Sequence, residues 1–238
     1  MKISLCIPMY NEAKIIGDTA RTLHKYMSDH FSDYEILFAN DGSTDGSAAL
    51  VAGLSLPNVR VVGYESNRGK GCAVRTAMLA AKGDVVMFTD SDLAYGVEVI
   101  GRFIKAFEEE PSVDIVVGSR NLSADGYEGY TLLRRFASKA YIGVLCLVGG
   151  LKLSDSQCGC KAFRGEAAKK IFSRCETDGF SFDFEAIMIA TRYGMKFLEL
   201  PVKVVNHRDS KVNLVADALR MLCELLRIKK RVRKLDIQ

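Results

Sequence analysis

Short apolar runs alternate with helical patterns through the first half of the chain, and this alternation constrains the fold more than any other feature. Runs at 3–8, 35–39, 59–63, 85–89 and 113–118 read as strands. Apolar residues at helical spacing, through Ile15, Ile16, Thr19, Leu23 and Met27, predict a helix over 13–31. Similar patterns predict helices over 71–82 and 97–109, and Ser43, Thr44 and Asp45 offer caps for one reaching Leu54. Strand, helix, strand at this rhythm predicts an α/β fold with a mostly parallel central sheet and helices on both faces. Ligands of such sheets bind beyond the carboxyl ends of the strands.

After Arg120 the rhythm changes. A polar loop over 121–130 leads to an apolar helix over 134–148, then helices over 165–173 and 184–193. Residues 196–206 read as two short strands broken at Pro201, and 212–234 as one amphipathic helix. No linker or internal repeat divides the chain. With 238 residues, 48% of them hydrophobic, it suffices for one well-buried domain.

The 7 cysteines are scattered, mostly in apolar contexts, which fits reduced thiols in an intracellular setting rather than a disulfide framework. Cys158-Gly159-Cys160 lacks the second pair that a zinc site needs. The opening residues read as a strand rather than a secretion signal. The longest uncharged apolar run, 140–151, falls short of the roughly 20 residues of a membrane-spanning helix. The net charge of +4 is concentrated at 220–238, where seven basic residues face two acidic ones. Such a run is either a solvated face or, together with the apolar helix beginning at Arg134-Arg135, a means of lying on an anionic membrane surface. Nucleic acid is not the expected partner, because no aromatic platform or reading motif accompanies the charges.

Polar clusters follow the apolar strands directly: Tyr10-Asn11-Glu12, Asn40-Asp41-Gly42-Ser43, Asp90-Ser91-Asp92 and Ser119-Arg120. The predicted topology gathers them on one rim. Asp90 and Asp92, a residue apart after a buried run, are costly to hold together without a cation. A hard divalent metal, Mg²⁺ or Mn²⁺, would neutralise them and bind phosphate as well; the plain alternative is a solvated turn. Asp41 reads either as part of a turn or as an acceptor for a ribose or base. No phosphate loop of the GxGxxG or GxxxxGK[ST] kind is present, which argues against dinucleotide and P-loop sites.

Together the segments Ile7-Pro8-Met9-Tyr10-Asn11-Glu12, Asn40 to Asp45, Asn67-Arg68-Gly69-Lys70-Gly71 and Asp90-Ser91-Asp92 resemble family 2 glycosyltransferases of the GT-A fold. The second half adds Gly118-Ser119-Arg120, Asp155 to Phe163, Phe182-Asp183-Phe184-Glu185, Glu199 to Val202 and Ser210-Lys211. These are similar to the dolichyl-phosphate β-glucosyltransferase branch, and the resemblance covers residues 3–231. It implies inverting transfer of a hexose, glucose from UDP-glucose, to a polyprenyl phosphate at the cytoplasmic face of a membrane. Pro8, Tyr10, Glu12 and Asp41, with Lys70 nearby, would bind the nucleoside. Asp90 and Asp92 would hold the metal and the donor pyrophosphate, and Arg120, Arg134 and Lys211 would meet phosphates. Asp183 would face the reacting centre. Residues 1–120 would then form the nucleotide-sugar half of a single 1–238 domain, 121–210 the acceptor half and 211–238 a basic amphipathic helix. Ala94 departs from mannosyltransferase relatives, which carry a metal-contacting Gln there, and Cys160 replaces their usual aromatic residue.

The chemistry of such a reaction can be stated independently. A departing nucleotide diphosphate gathers negative charge that a metal stabilises. The opposite face of the sugar admits a nucleophile, for which Asp183 or Glu185 is a candidate base; equally, the two acids suit a helix N-terminus. Three rivals remain: transfer to a sugar hydroxyl of a glycan or glycolipid, nucleotidyl transfer, and non-catalytic binding of nucleotide sugars at a membrane. Nucleotidyl transfer normally needs a basic Gly-rich loop after the first strand, and that loop is missing.

Overall fold

Every residue of Ile3–Met9 (β1) is buried, since the strand carries side chains that pack on both faces of a covered sheet. The computed structural model of the chain describes residues 1–127, 132–206 and 224–236, and in 128–141 only the side chain of Lys139. After β1 come α1 (Ile16–His30), β2 (Tyr34–Asp41), α2 (Ser47–Gly53), β3 (Val59–Tyr64), α3 (Lys70–Ala80) and β4 (Val85–Phe88). The second half holds α4 (Glu98–Glu109), β5 (Ile115–Ser119), α5 (Leu132–Gly149), β6 (Lys161–Arg164), α6 (Gly165–Phe172), α7 (Phe182–Arg192) and β7 (Phe197–Pro201). Residues 224–232 form a C-terminal helix.

The strands make one sheet in the order β3-β2-β1-β4-β6-β5-β7. All neighbours run parallel except β6, which is antiparallel to both β4 and β5. Side chains alternate along each strand, and the two faces acquire separate cores. Leu5, Ile7, Phe38 and Met87 pack beneath α1 and α4. Cys6, Leu37, Val86 and Phe88 pack beneath α3, α6 and α7, joined by Leu225, Ile228 and Val232 of the C-terminal helix. Because β1 lies between β2 and β4, the connections after β1 and β4 diverge and leave a crevice at their carboxyl ends. The expected α/β sheet is therefore present.

Three local expectations need correction. Strand β6 was not expected, because Lys-Ala-Phe-Arg reads as half polar. Its Lys161 is neutralised in the interior, and Arg164 donates to the carbonyls of Phe107, Pro111 and Val113. Helix α2 begins only at Ser47, after Gly46 in the left-handed region, so Ser43 and Thr44 do not cap it. They bind Asn11 instead: Ser43 Oγ accepts its N–H at 3.1 Å, and its Oδ1 accepts the Thr44 N–H at 2.8 Å. Residues 196–206 contain one strand, β7, rather than two. The part of the predicted C-terminal helix over 212–223 lies outside the described residues.

At the sheet end opposite the crevice, Glu35 ties four segments together. It accepts from Ser4 Oγ at 2.7 Å, from the Lys82 N–H at 2.7 Å and from Arg60 at 3.2 Å. Burial alone would raise its carboxyl, but the Ser4 hydroxyl, the Lys82 amide and Arg60 outweigh it and hold the group below its ordinary value. Glu35→Gln should cost about 1–3 kcal/mol at neutral pH by unpairing these donors. A carboxyl depressed in the folded state stabilises fully above its unfolded pKa and loses that contribution as pH falls through the folded one. Melting temperatures of variant and wild type, measured over a pH series, should therefore converge in acid.

Candidate active site

Four segments that leave the carboxyl ends of strands, and the connection before α7, surround an open cleft of about 440 Å³. Pro8, Met9, Tyr10 and Glu12 follow β1, and Asp41 ends β2. Asn67, Gly69, Lys70 and Ala73 come from the loop before α3 and from its first turns. Asp90, Ser91 and Asp92 follow β4, while Gly179 and Phe180 close the far side before α7. Of the residues singled out in the sequence, Pro8, Tyr10, Glu12, Asp41, Lys70, Asp90 and Asp92 are thus brought together. Backbone at two non-glycine positions here, Asn11 and Leu93, lies in the left-handed region, the kind of local strain that clusters at functional sites.

Asp41 serves mainly to build the wall. Its carboxylate accepts from Tyr64 Oη at 2.7 Å, Asn67 Nδ2 at 2.9 Å and the N–H groups of Arg68 and Gly69 at 2.9 and 3.0 Å. These bonds fold residues 64–69 into a loop that delivers Lys70. Gly69 permits the close packing behind it, where a Cβ would stand 2.5 Å from the Asp178 carbonyl oxygen.

Lys70 Nζ lies 2.5 Å from Asp90 Oδ1, so the cleft holds an ammonium against one acid of the pair. Burial opposes the Lys70 charge, but Asp90, Asp183 and Asp92 more than offset it and raise its pKa. Asp92 Oδ1 accepts the Ala94 N–H at 3.0 Å. Gly159 faces Asp90: a Cβ there would come within 2.3 Å of Oδ2. Among the described residues no group of three or more His, Cys, Asp or Glu is placed to hold a metal. Asp90 and Asp92 offer only carboxylate oxygens, a donor set suited to a hard cation that completes its shell with water and phosphate.

Asp183 sits beside the cleft rather than on its wall. Its Oδ1 accepts from Lys161 Nζ at 2.7 Å, and the same ammonium donates to the Cys158 carbonyl at 2.6 Å. Lys161 has 0% exposure and Asp183 is buried. Burial raises the Asp183 carboxyl, with Lys161 and Lys70 pulling against that rise. Glu185 is fully committed inside the protein, accepting the N–H groups of Glu176 and Thr177 and the guanidinium of Arg231.

Arg120 lies away from the cleft. Its guanidinium meets Asp155 through two bonds at 2.7 and 3.0 Å and covers the Tyr127 ring at 5.5 Å. In the structure the Arg120 guanidinium is engaged by this buried ion pair, and Arg120 is not among the residues that line the cleft. Lys211 and the side chain of Arg134 lie outside what the structure describes. Lys161 and Phe180 carried no assigned role in the sequence. Lys161 was detectable as a charge within an otherwise small and apolar segment, and Phe180 as an aromatic between Gly179 and Ser181.

Residues 4–172 match the model of glycosyl transferase family 2. The chain is 31% identical to a dolichyl-phosphate beta-glucosyltransferase of Trichomonas vaginalis, over 95% of the chain and 72% of that protein. It is 27% identical to the dolichyl-phosphate beta-glucosyltransferase of Saccharomyces cerevisiae, over 95% of the chain and 74% of the relative. Among solved structures it resembles glucosyl-3-phosphoglycerate synthase of Mycobacterium tuberculosis, crystallised with Mn²⁺, UDP-glucose and phosphoglyceric acid. That match has a TM-score of 0.72 at 19% identity, covering 99% of this chain and 81% of that one, and it establishes the GT-A fold.

The buried Lys161–Asp183 pair provides a stability test of this architecture. Lys161→Met should cost about 3–5 kcal/mol by leaving a carboxylate buried without its partner. Adding Asp183→Asn should recover much of the loss, and urea denaturation of the single and double variants checks both outcomes.

Proposed function

The chain belongs to glycosyl transferase family 2, and from that premise we propose that it transfers glucose from UDP-glucose to a polyprenyl phosphate with inversion. That it is a glycosyltransferase follows from the family and its relatives. The observation that carries the finer reading is the cleft in which Lys70, Asp90 and Asp92 converge beside the Tyr10 and Asp41 walls. In this reading residues 1–120 bind the donor and 121–210 the acceptor. A divalent cation, Mg²⁺ or Mn²⁺, would be held by Asp90 and Asp92 and would neutralise the leaving diphosphate. Mn²⁺ accompanies UDP-glucose in the structural relative. Lys70 is near enough to share that charge, and Tyr10 and Glu12 form the side on which the nucleoside would rest.

The state of Asp183 favours a phosphate acceptor. A phosphate monoester has a second pKa near 6, so its attacking oxygen is already ionised at about neutral pH. It needs orientation by cations more than a base. Asp183, engaged by a fully buried lysine, is better suited to shaping the cleft than to taking a proton. For a sugar hydroxyl the requirement would be reversed.

A lipid acceptor also suits the exposed surface. Among the described residues no helix is long and apolar enough to cross a membrane. Leu147 near the end of α5 is 83% exposed and Leu226 of the C-terminal helix 62%. The two elements are joined where Lys229 donates to the Val148 carbonyl. With the exposed Arg227, Lys230, Arg233 and Lys234, they would rest reversibly on the anionic cytoplasmic face of a membrane.

Radiolabelled nucleotide sugars, offered with and without a short polyprenyl phosphate and extracted into organic solvent, test the reading. Label from UDP-glucose should enter the lipid phase only with the acceptor; transfer solely to glycan hydroxyls would overturn it. Chelation should abolish transfer reversibly, and Asp92→Asn should lower turnover about a hundredfold or more. Asp183→Asn, assayed well below its unfolding temperature, should cost less than about a hundredfold, the lower end of what loss of a general base removes.

A further inference from the structure

Residues 176–181, which carry the far wall of the cleft, are held from two sides. On one side stands the C-terminal helix. Its Arg231 engages Glu185, reaches Thr177 Oγ1 at 3.2 Å and pairs with the Glu176 carboxylate at 3.2 Å. Glu185 in turn accepts the N–H groups of Glu176 and Thr177 at 3.0 and 2.8 Å. A second tie joins Ser181 Oγ to Glu224 Oε2 at 2.6 Å. Both outer anchors, Arg231 and Glu224, thus belong to one helix far along the chain.

On the other side stands the first turn of α3. The Asp178 carbonyl accepts the Gly71 N–H at 2.8 Å and the Cys72 N–H at 3.3 Å, and its carboxylate meets Arg75 at 2.5 Å. The packing here has no slack: a Cβ on Gly71 would stand 2.5 Å from the Thr177 carbonyl and 2.7 Å from that of Gly179. Lys70 is the first residue of α3, and Asp183 follows the wall in the first turn of α7. Phe180, 61% exposed, lies between the anchors and faces the cleft.

We infer that the C-terminal helix positions the cleft, with Arg231 as a positioning residue that holds the 176–181 wall and, through it, Lys70 and Asp183. None of these polar partners of Arg231 lines the cleft itself. Its action passes through Glu185, a buried carboxylate whose remaining partners are backbone amides of the wall. Removing the guanidinium leaves that charge underpaired, and the segment nearest to it is the one that must relax. This inference rests on the reading of the cleft as a glycosyl-transfer site.

The test uses the full chain with Arg231→Met, Arg231→Lys and Glu224→Gln. Amide hydrogen exchange is followed at 70–73 and 176–182, with β1 and β4 as references. Kinetics with UDP-glucose and polyprenyl phosphate are measured well below the melting temperature of each variant. Arg231→Met should speed exchange in both segments about tenfold or more while leaving the strands unchanged. The KM for UDP-glucose should rise about tenfold with a smaller fall in kcat, the signature of a displaced binding wall. Arg231→Lys should restore most of both, and Glu224→Gln should give a weaker change in the same direction. The last two variants decide the matter if Arg231→Met fails to fold. A lower melting temperature with wild-type exchange at 70–73, or with unchanged KM and kcat, would overturn the inference. A wild-type chain that transfers no hexose to the lipid would count against the functional reading alone, because exchange at 70–73 still decides the coupling.

Discussion

A lysine with no solvent exposure and an aspartate with almost none meet where β6 passes α7, and much of the site depends on that meeting. Lys161 pairs in register with Phe88, the last residue of β4 before the strand runs out toward Asp90. Without a counter-charge the lysine could not occupy a central strand, since an unpaired buried ammonium costs several kcal/mol. Asp183 supplies that charge from the first turn of α7, and the Cys158 carbonyl takes a second N–H. The same contact thus completes the sheet, fixes the entry of α7 and orders the turn holding Gly159 against Asp90. Its energetic worth lies less in net attraction than in the penalty for breaking it.

The carboxylates near the crevice fall into two populations with different uses. Asp155 is spent on Arg120, Glu185 on Arg231 and two amides, and Glu199 on Ser154 and Asp155 backbone N–H groups. Asp41 is spent on the loop leading to Lys70. Asp90 and Asp92 instead line the cleft, and Asp90 meets Lys70 there. Internal acids order loops; the cleft acids line open space, Asp90 against Lys70 and Asp92 against the Ala94 amide. The distinction is one of geometry, because both populations come from similar polar stretches next to apolar strands.

That is also why the site was only partly legible in the sequence. Strands β1, β2 and β4 announce themselves by apolar runs, and their trailing polar residues converge because parallel strands end on one rim. Hence Tyr10, Glu12, Asp41, Asp90 and Asp92 were found. Arg120 also follows a strand, yet its partner Asp155 lies across an intervening helix, and nothing local marks the pairing. Strand β6 was hidden by two basic residues whose charges are met by tertiary partners, a case of context overriding local pattern. Residues 43–45 look like a helix cap by composition, but only Asp45 accepts an N–H at the start of α2, while Asn11 recruits Ser43 and Thr44 to join two loops. Arg231 read as one more charge in a basic run; its tie to Glu185 depends on how the last helix docks.

Gly159 carries a consequence beyond its own turn. The space a side chain would fill there is taken by the Asp90 carboxylate. Any residue but glycine must push that carboxylate aside, and with it the Lys70 ammonium that it holds. Two segments far apart in the chain thus share one space, and the C-x-C turn shapes the placing of Asp90 as much as the strand that precedes it.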